Sequence, residues 1–115
     1  MNIYISGPIT NYKNADTNFK EAEALMRKMY PNAKIYNPIN IPTPKYTQDD
    51  WGTEGVWSYY MHESIKLMME CDTIYLLNGW SSSKGATIEF NLAWALDMTI
   101  LYETDIKKMR NDEPQ

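Results

Sequence analysis

The stretch Leu77–Phe90, LNGWSSSKGATIEF, runs from apolar residues through a serine-rich turn into a segment of helical character. It decides the fold. The apolar run that leads into it, CDTIYLL (71–77), reads as a buried strand, and residues 83–96 read as the helix that follows. One acid, Glu89, lies inside that helix, shortly after a Ser-Lys-Gly turn.

The same alternation continues in both directions. NIYIS (2–6) reads as a short buried strand that ends at Gly7-Pro8. In NADTNFKEAEALMRKMY (14–30), Phe19, Ala22, Met26 and Met29 recur at helical spacing, and Asp16 or Thr17 is placed to cap the start. AKIYNP (33–38) is a second strand, stopped by Pro38. Residues 38–54 carry Pro38, Pro42, Pro44 and Gly52 and read as a long loop, a length that in a small domain marks function more often than not. GVWSYYMHESIKLMME (55–70) reads as a helix with Val56, Tyr60, Ile65 and Met68 or Met69 facing inward. MTILYE (98–103) is a fourth strand, and the charged tail KKMRNDEPQ is frayed or a short surface helix.

Strands alternating with helices imply an α/β fold: a three-layer, flavodoxin/Rossmann-like arrangement with a parallel sheet of four to five strands and helices on both faces. Ligands of such sheets bind beyond the carboxyl ends of the strands, where the strand order reverses. That rule selects the loops Ser6–Asn11, Asn37 onward, and Asn78–Gly85.

Composition narrows the function classes. A chain of 115 residues suits a single domain spanning 1–115, and 43% hydrophobic residues suffice for a core. A formal net charge of −4 argues against an extended grip on nucleic acid, which needs clustered Lys and Arg, but is compatible with one small phosphorylated ligand. Cys71 is the single cysteine, so no internal disulfide forms, and with one histidine, His62, the chain offers little to a transition metal. Both read as structural residues. No signal peptide precedes the first strand-like segment, and no apolar run reaches the ~20 residues of a membrane span. The expected setting is cytoplasmic.

The turn before the third helix carries Ser81, Ser82, Ser83 and Gly85. The first amides of a helix lack internal partners, so a Ser-x-Gly there can seat a phosphate or carboxylate; the ordinary alternative is a serine N-cap. Glu89 shares the helical stripe of Leu92, Ala93 and Leu96, which places an acid on the inward face. A buried acid is costly unless it is paired or used. Its neighbours one turn back, Gly85 and Ala86, are small and leave space before the carboxylate. The alternative is a rim position bonded to a nearby loop. Gly7 allows close backbone approach in SGPIT. Tyr46, Trp51, Trp57, Tyr59, Tyr60 and Trp80 could stack on a nucleobase or form core or an interface. Asp72, at the start of the third strand, either ties down a loop or reaches substrate.

Taken together, IYISGPIT, the NP after strand two, CDTIYLLNGW and SSSKGATIEFNLAWAL resemble the nucleoside 2-deoxyribosyltransferase-like superfamily, over Met1 to about Tyr102. The chain is most similar to a small phage and bacterial branch, related to the 2'-deoxynucleoside 5'-monophosphate N-glycosidases. The resemblance implies that Glu89 attacks the anomeric carbon C1' to give a covalent glycosyl-enzyme, resolved by water or a second base. It places the phosphate on Ser83 and Gly85 and the sugar and base against Gly7, Pro8, Ile9 and Thr10, with Ser6 and Lys84 as further substrate contacts. Ser64 and Asp72 complete the expected substrate contacts. Ser64 stands where the superfamily usually has an Asp that contacts sugar hydroxyls and helps the base leave. No metal or other cofactor is implied, and the expected partner is a small-molecule nucleotide, with no extended nucleic acid and no membrane. A homodimer or higher homo-oligomer is also implied. The Ser64 departure motivates an alternative, a nucleotide-binding protein without turnover that acts as a sensor or a sponge for a nucleotide signal. A further alternative is a glycohydrolase of NAD type.

Overall fold

The computed structural model describes residues 1–10, 12–44 and 48–111, with the backbone alone at 48–51, 53, 54 and 111. The chain runs β1 (Asn2–Ser6), α1 (Ala15–Met29), β2 (Lys34–Tyr36), α2 (Gln48–Met68), β3 (Thr73–Leu76), α3 (Lys84–Ala95), β4 (Thr99–Tyr102) and α4 (Glu103–Asn111). Short 3-10 turns sit at Pro38–Asn40 and Trp80–Ser82. The four strands pair in the order β2-β1-β3-β4, all parallel. This is the expected doubly wound α/β arrangement, with four strands.

Period-2 alternation divides the core into two layers. From β1, Ile3 and Ile5 join Phe19, Ala22 and Met26 of α1 and Ile106 of α4 on one face. Tyr4 points the other way, toward Met68 of α2 and Ala93 of α3. Strand β3 does the same, with Tyr75 on the first face and Ile74 and Leu76 on the second. Every one of these side chains is buried. The helices that follow β1 and β3 therefore leave to opposite sides of the sheet. The strand order reverses between these two strands, and a crevice opens beyond their carboxyl ends.

Helix α1 buries Phe19, Ala22 and Met26 as the spacing predicts, and Met29 packs at the margin. Its start differs from expectation. The N-cap is Asn14, in the left-handed region at φ 65°, with no side-chain cap bond. Asp16 instead sits in the first turn, where its charge suits the helix dipole, and pairs with Lys20 at 2.9 Å.

The segment read as a loop over 38–54 holds more structure than its prolines suggest. Helical geometry begins at Gln48 and is broken at Gly52, whose φ of 75° and ψ of 169° leave the helical region. The second helical stretch then carries Met68 inward and leaves Met69 exposed. On α3 the buried residues are Ala86, Glu89 and Ala93. Leu96, expected on that stripe, is the C-cap residue and 52% exposed, because the helix ends before it can turn inward. The charged tail forms α4, anchored by buried Ile106; residues 112–115 lie outside the described part. Among the described residues no helix is long and apolar enough to cross a membrane.

Candidate functional site

The crevice at the reversal point is a cavity of about 670 Å³, within the usual range for small-molecule sites. Each neighbouring loop contributes to it. Gly7, Ile9 and Thr10 come from the segment after β1, and Pro38, Ile39, Ile41 and Thr43 from the segment after β2. Helix α2 supplies Val56, Trp57, Tyr60, Met61 and Ser64, and the start of α3 supplies Ser83, Lys84, Gly85, Ala86 and Glu89.

Glu89 is 5% exposed. Its carboxylate is held by two hydroxyls from β1. The Tyr4 hydroxyl donates to Oε2 at 2.6 Å, and the Ser6 hydroxyl donates to Oε1 at 2.7 Å. Tyr4 and Ser6 are two residues apart on a strand, so both point to the α3 face. Burial pushes the Glu89 carboxyl above its ordinary value, and the two donors pull against that rise. The Tyr4 phenol is raised far above its own ordinary value, first by burial and then by the Glu89 charge; it remains a proton-bearing donor. The neighbouring Ser64 side chain works against that rise and lines the same cavity. One donor to each carboxylate oxygen leaves lone pairs for a reacting atom. A carboxylate partly stripped of water and fixed in this way is suited to act as a nucleophile or to stabilise developing positive charge.

The mouth of α3 is built by Ser83. Its Oγ accepts from the Ala86 amide at 3.2 Å, the ordinary N-cap bond. That bond uses an acceptor site and leaves the hydroxyl proton free to donate. Lys84 lays its ammonium 4.3 Å from the centroid of the Trp57 ring. A Cβ on Gly85 would come within 3.0 Å of Met61 Sδ, so this glycine lets α3 pack against α2. At Gly7 a Cβ would lie 2.9 Å from Leu77 Cβ, which keeps the end of β1 close to β3. The opposite wall is tied down by Asn37. Its Nδ2 donates to the Phe19 carbonyl and to Glu23 Oε1, each at 3.1 Å, while its Oδ1 accepts from the Ile39 amide. The lining residues Pro38 and Ile39 are thereby fastened to α1.

The structure thus brings together Gly7, Ile9, Thr10, Ser64, Ser83, Lys84, Gly85 and Glu89, with Ser6 beneath them as a carboxylate ligand. Two expected residues lie elsewhere. The Pro8 ring packs toward Gly79, where its Cγ would be 3.3 Å from a Cβ. Asp72 precedes β3 at the opposite end of the sheet, about 13 Å of strand from Leu76. There Asp72 accepts from the Asn2 amide at 3.2 Å and from the Thr73 hydroxyl at 2.7 Å, and the Thr73 bond leads the effects that hold its carboxyl below the ordinary value. It ties β1 to β3 and is no part of the cavity.

Of the aromatic residues, Trp57 and Tyr60 line the cavity, whereas Trp80 stacks on Phe90 at 4.6 Å outside it. Tyr59 bonds the Pro42 carbonyl at 3.0 Å. Tyr46 and the side chain of Trp51 lie outside the described residues, as does Asn11. Cys71 is half-buried and its thiol is pushed up to about 12, chiefly by burial; His62 is exposed. Neither lines the cavity. Tyr4 is the residue the sequence reading missed. Its signal was the shared strand face with Ser6, aimed at the helix that carries the acid.

Fold and site define a class: a doubly wound parallel α/β protein with a buried, hydroxyl-held carboxylate at its reversal point. The chain belongs to the family described as a domain of unknown function (DUF4406), which matches residues 1–102. That span includes the sheet and all the cavity residues. No curated protein and no solved structure matches the chain.

Proposed function

We propose that this protein cleaves or transfers the N-glycosidic bond of a (deoxy)nucleoside 5'-monophosphate, with Glu89 as the nucleophile. The observation that carries this reading is the Glu89 carboxylate, buried at the cavity and held by Tyr4 and Ser6. A carboxylate kept only as a structural tie would not need a cavity of this size before it. The resemblance to the nucleoside 2-deoxyribosyltransferase-like superfamily supplies the reaction class.

In the first step a Glu89 oxygen bonds to C1' as the bond from C1' to the base nitrogen breaks. The base leaves with that electron pair and takes a proton. Water then attacks C1', releases the carboxylate, and leaves a hydroxyl on the sugar; a second base in place of water gives transfer. Ser83 and Lys84 suit the 5'-phosphate, and Trp57 and Tyr60 offer aromatic faces to a base. Incubation with a panel of nucleotides, with free base followed by chromatography, tests the proposal. Base released by the wild type and abolished by Glu89→Gln supports it. No release from any nucleotide, or equal release by the variant, refutes it.

Ser64 favours a second reading. It lines the cavity beside Tyr4, at the position where the resemblance expects an acid that assists the leaving base. A site without that assistance suits a protein that binds a nucleotide and leaves it intact. Calorimetry with recovery of the ligand separates the two: tight binding of an unchanged nucleotide selects the binding protein.

A further inference from the structure

We propose that Lys84 couples recognition of a ligand's phosphate to recognition of its base, by exchanging the Trp57 ring for the phosphate. The proposal rests on the reading of the site as one for a phosphorylated nucleoside, and it adds a specificity-determining residue to it.

The observation is a contact inside the cavity. The Lys84 ammonium lies 4.3 Å from the centre of the Trp57 ring, within the ~6 Å reach of a cation–π interaction. Both residues line the same cavity as Glu89. Among the described residues the other lysines in ion pairs are Lys20, Lys66 and Lys107, and each pairs with an acid on its own helix. Lys84 has no carboxylate within that range among the described residues; its ammonium rests on an aromatic face.

The cavity is therefore lined by both a cation and the Glu89 carboxylate, from residues whose backbone positions are about 7–8 Å apart along α3 by helical rise. A ligand with an anionic group and an electrophilic carbon fits that pair of charges. A phosphate gives an ammonium charge-assisted hydrogen bonds, which are stronger than its attraction to a half-exposed ring. A phosphomonoester bound beside Ser83 would draw the flexible Lys84 side chain off Trp57. The uncovered indole face then becomes available to stack on a base. A nucleoside without phosphate has to displace Lys84 with nothing given to the ammonium in return. The phosphate thus contributes twice, through its own contacts and by clearing the stacking surface.

The experiment uses the full chain. Inorganic phosphate and ribose 5-phosphate, neither of which carries a base, are titrated while indole fluorescence is followed, with Trp57→Phe identifying the Trp57 signal against the other three tryptophans. Calorimetry then measures the affinity of a nucleoside and of its 5'-monophosphate for wild type, Lys84→Met, Lys84→Gln and the exposed control Lys66→Met. The expected result is a change in Trp57 emission on binding ribose 5-phosphate, lost in Lys84→Met. The preference for monophosphate over nucleoside falls at least tenfold in both Lys84 variants and holds in Lys66→Met. Wild type that binds nucleoside and nucleotide equally, or Lys84 variants that keep the preference, would overturn the proposal. Base release with an unchanged preference in Lys84→Met defeats the role of Lys84 alone. A lost preference without base release from any nucleotide defeats the catalytic reading and leaves Lys84 in place.

Discussion

The Tyr4 hydroxyl and the Glu89 carboxylate are 85 residues apart in the chain and 2.6 Å apart in the fold. One stands on the central strand β1 and the other on α3, and both are almost wholly buried. The pair places a charged acceptor at the carboxyl end of the sheet, where the crevice opens. Its chemistry leads to several measurable consequences.

Removal of the phenol shifts the pH dependence of the proposed activity. Burial raises the Glu89 carboxyl, and of the two opposing hydrogen bonds that of Tyr4 is the larger. A nucleophile must be ionised, so the rate climbs as pH rises through the Glu89 ionisation. Tyr4→Phe strips away a lowering influence and moves that climb to higher pH. Hydrogen bonds to charged groups contribute about 1.5–3 kcal/mol, so at a fixed acidic pH the rate falls by roughly tenfold or more. A pH profile of kcat/KM measures this. An acidic limb left in place would contradict the role given to Tyr4.

Glu89→Gln stabilises the fold at neutral and alkaline pH. The folded-state carboxyl ionises above its ordinary value of 4.5. Between that value and its own ionisation the folded chain holds a proton that the unfolded chain has lost. The contribution of Glu89 to stability is therefore complete at low pH and is lost as pH rises through the folded-state ionisation. Gln carries no charge; its Oε1 accepts from one hydroxyl, and its Nε2 donates to the oxygen of the other, which turns from donor to acceptor. The variant's melting midpoint exceeds that of the wild type once pH has risen through the folded-state ionisation. The gap closes toward pH 4. Calorimetric melts across pH check it, and a variant less stable than wild type at pH 8 would reverse the argument.

How much of this was legible in the sequence follows from the range of each signal. Glu89, Ser83 and Gly85 lie within two turns of one helix, so spacing alone related them. The parallel sheet followed from alternation of strand-like and helical segments. The Tyr4–Glu89 pair needed the contact between β1 and α3, which no local period encodes, although Tyr4 and Ser6 already shared a face. Asp72 takes the tying role its position offered and not the substrate contact, because sequence proximity to β3 does not say which end of the sheet carries the site. The break at Gly52 was hidden because prolines at 38, 42 and 44 dominated the reading of the whole segment. Leu96 matched the stripe in number but came after the last helical turn.

Tyr75 supplies a test of the core. Its hydroxyl is buried against the α1 and α4 layer and has no hydrogen-bond partner among the described residues. A buried polar group without a partner costs about 1–3 kcal/mol, and Phe keeps the ring while removing that group. Tyr75→Phe raises the midpoint of chemical denaturation with an unchanged slope. A lower midpoint would mean that the hydroxyl has a partner in solution.

The central claim is that Glu89 attacks C1' of a nucleotide. Its most direct test is the mass of the intact protein after incubation with a 2'-deoxy-2'-fluoroarabinosyl nucleoside 5'-monophosphate, whose fluorine slows release of a glycosyl-enzyme. The account predicts a mass increase equal to one sugar phosphate, located by peptide mapping to Glu89 and missing in Glu89→Gln. An unmodified protein under conditions where base is released, or an adduct that persists in Glu89→Gln, would contradict it.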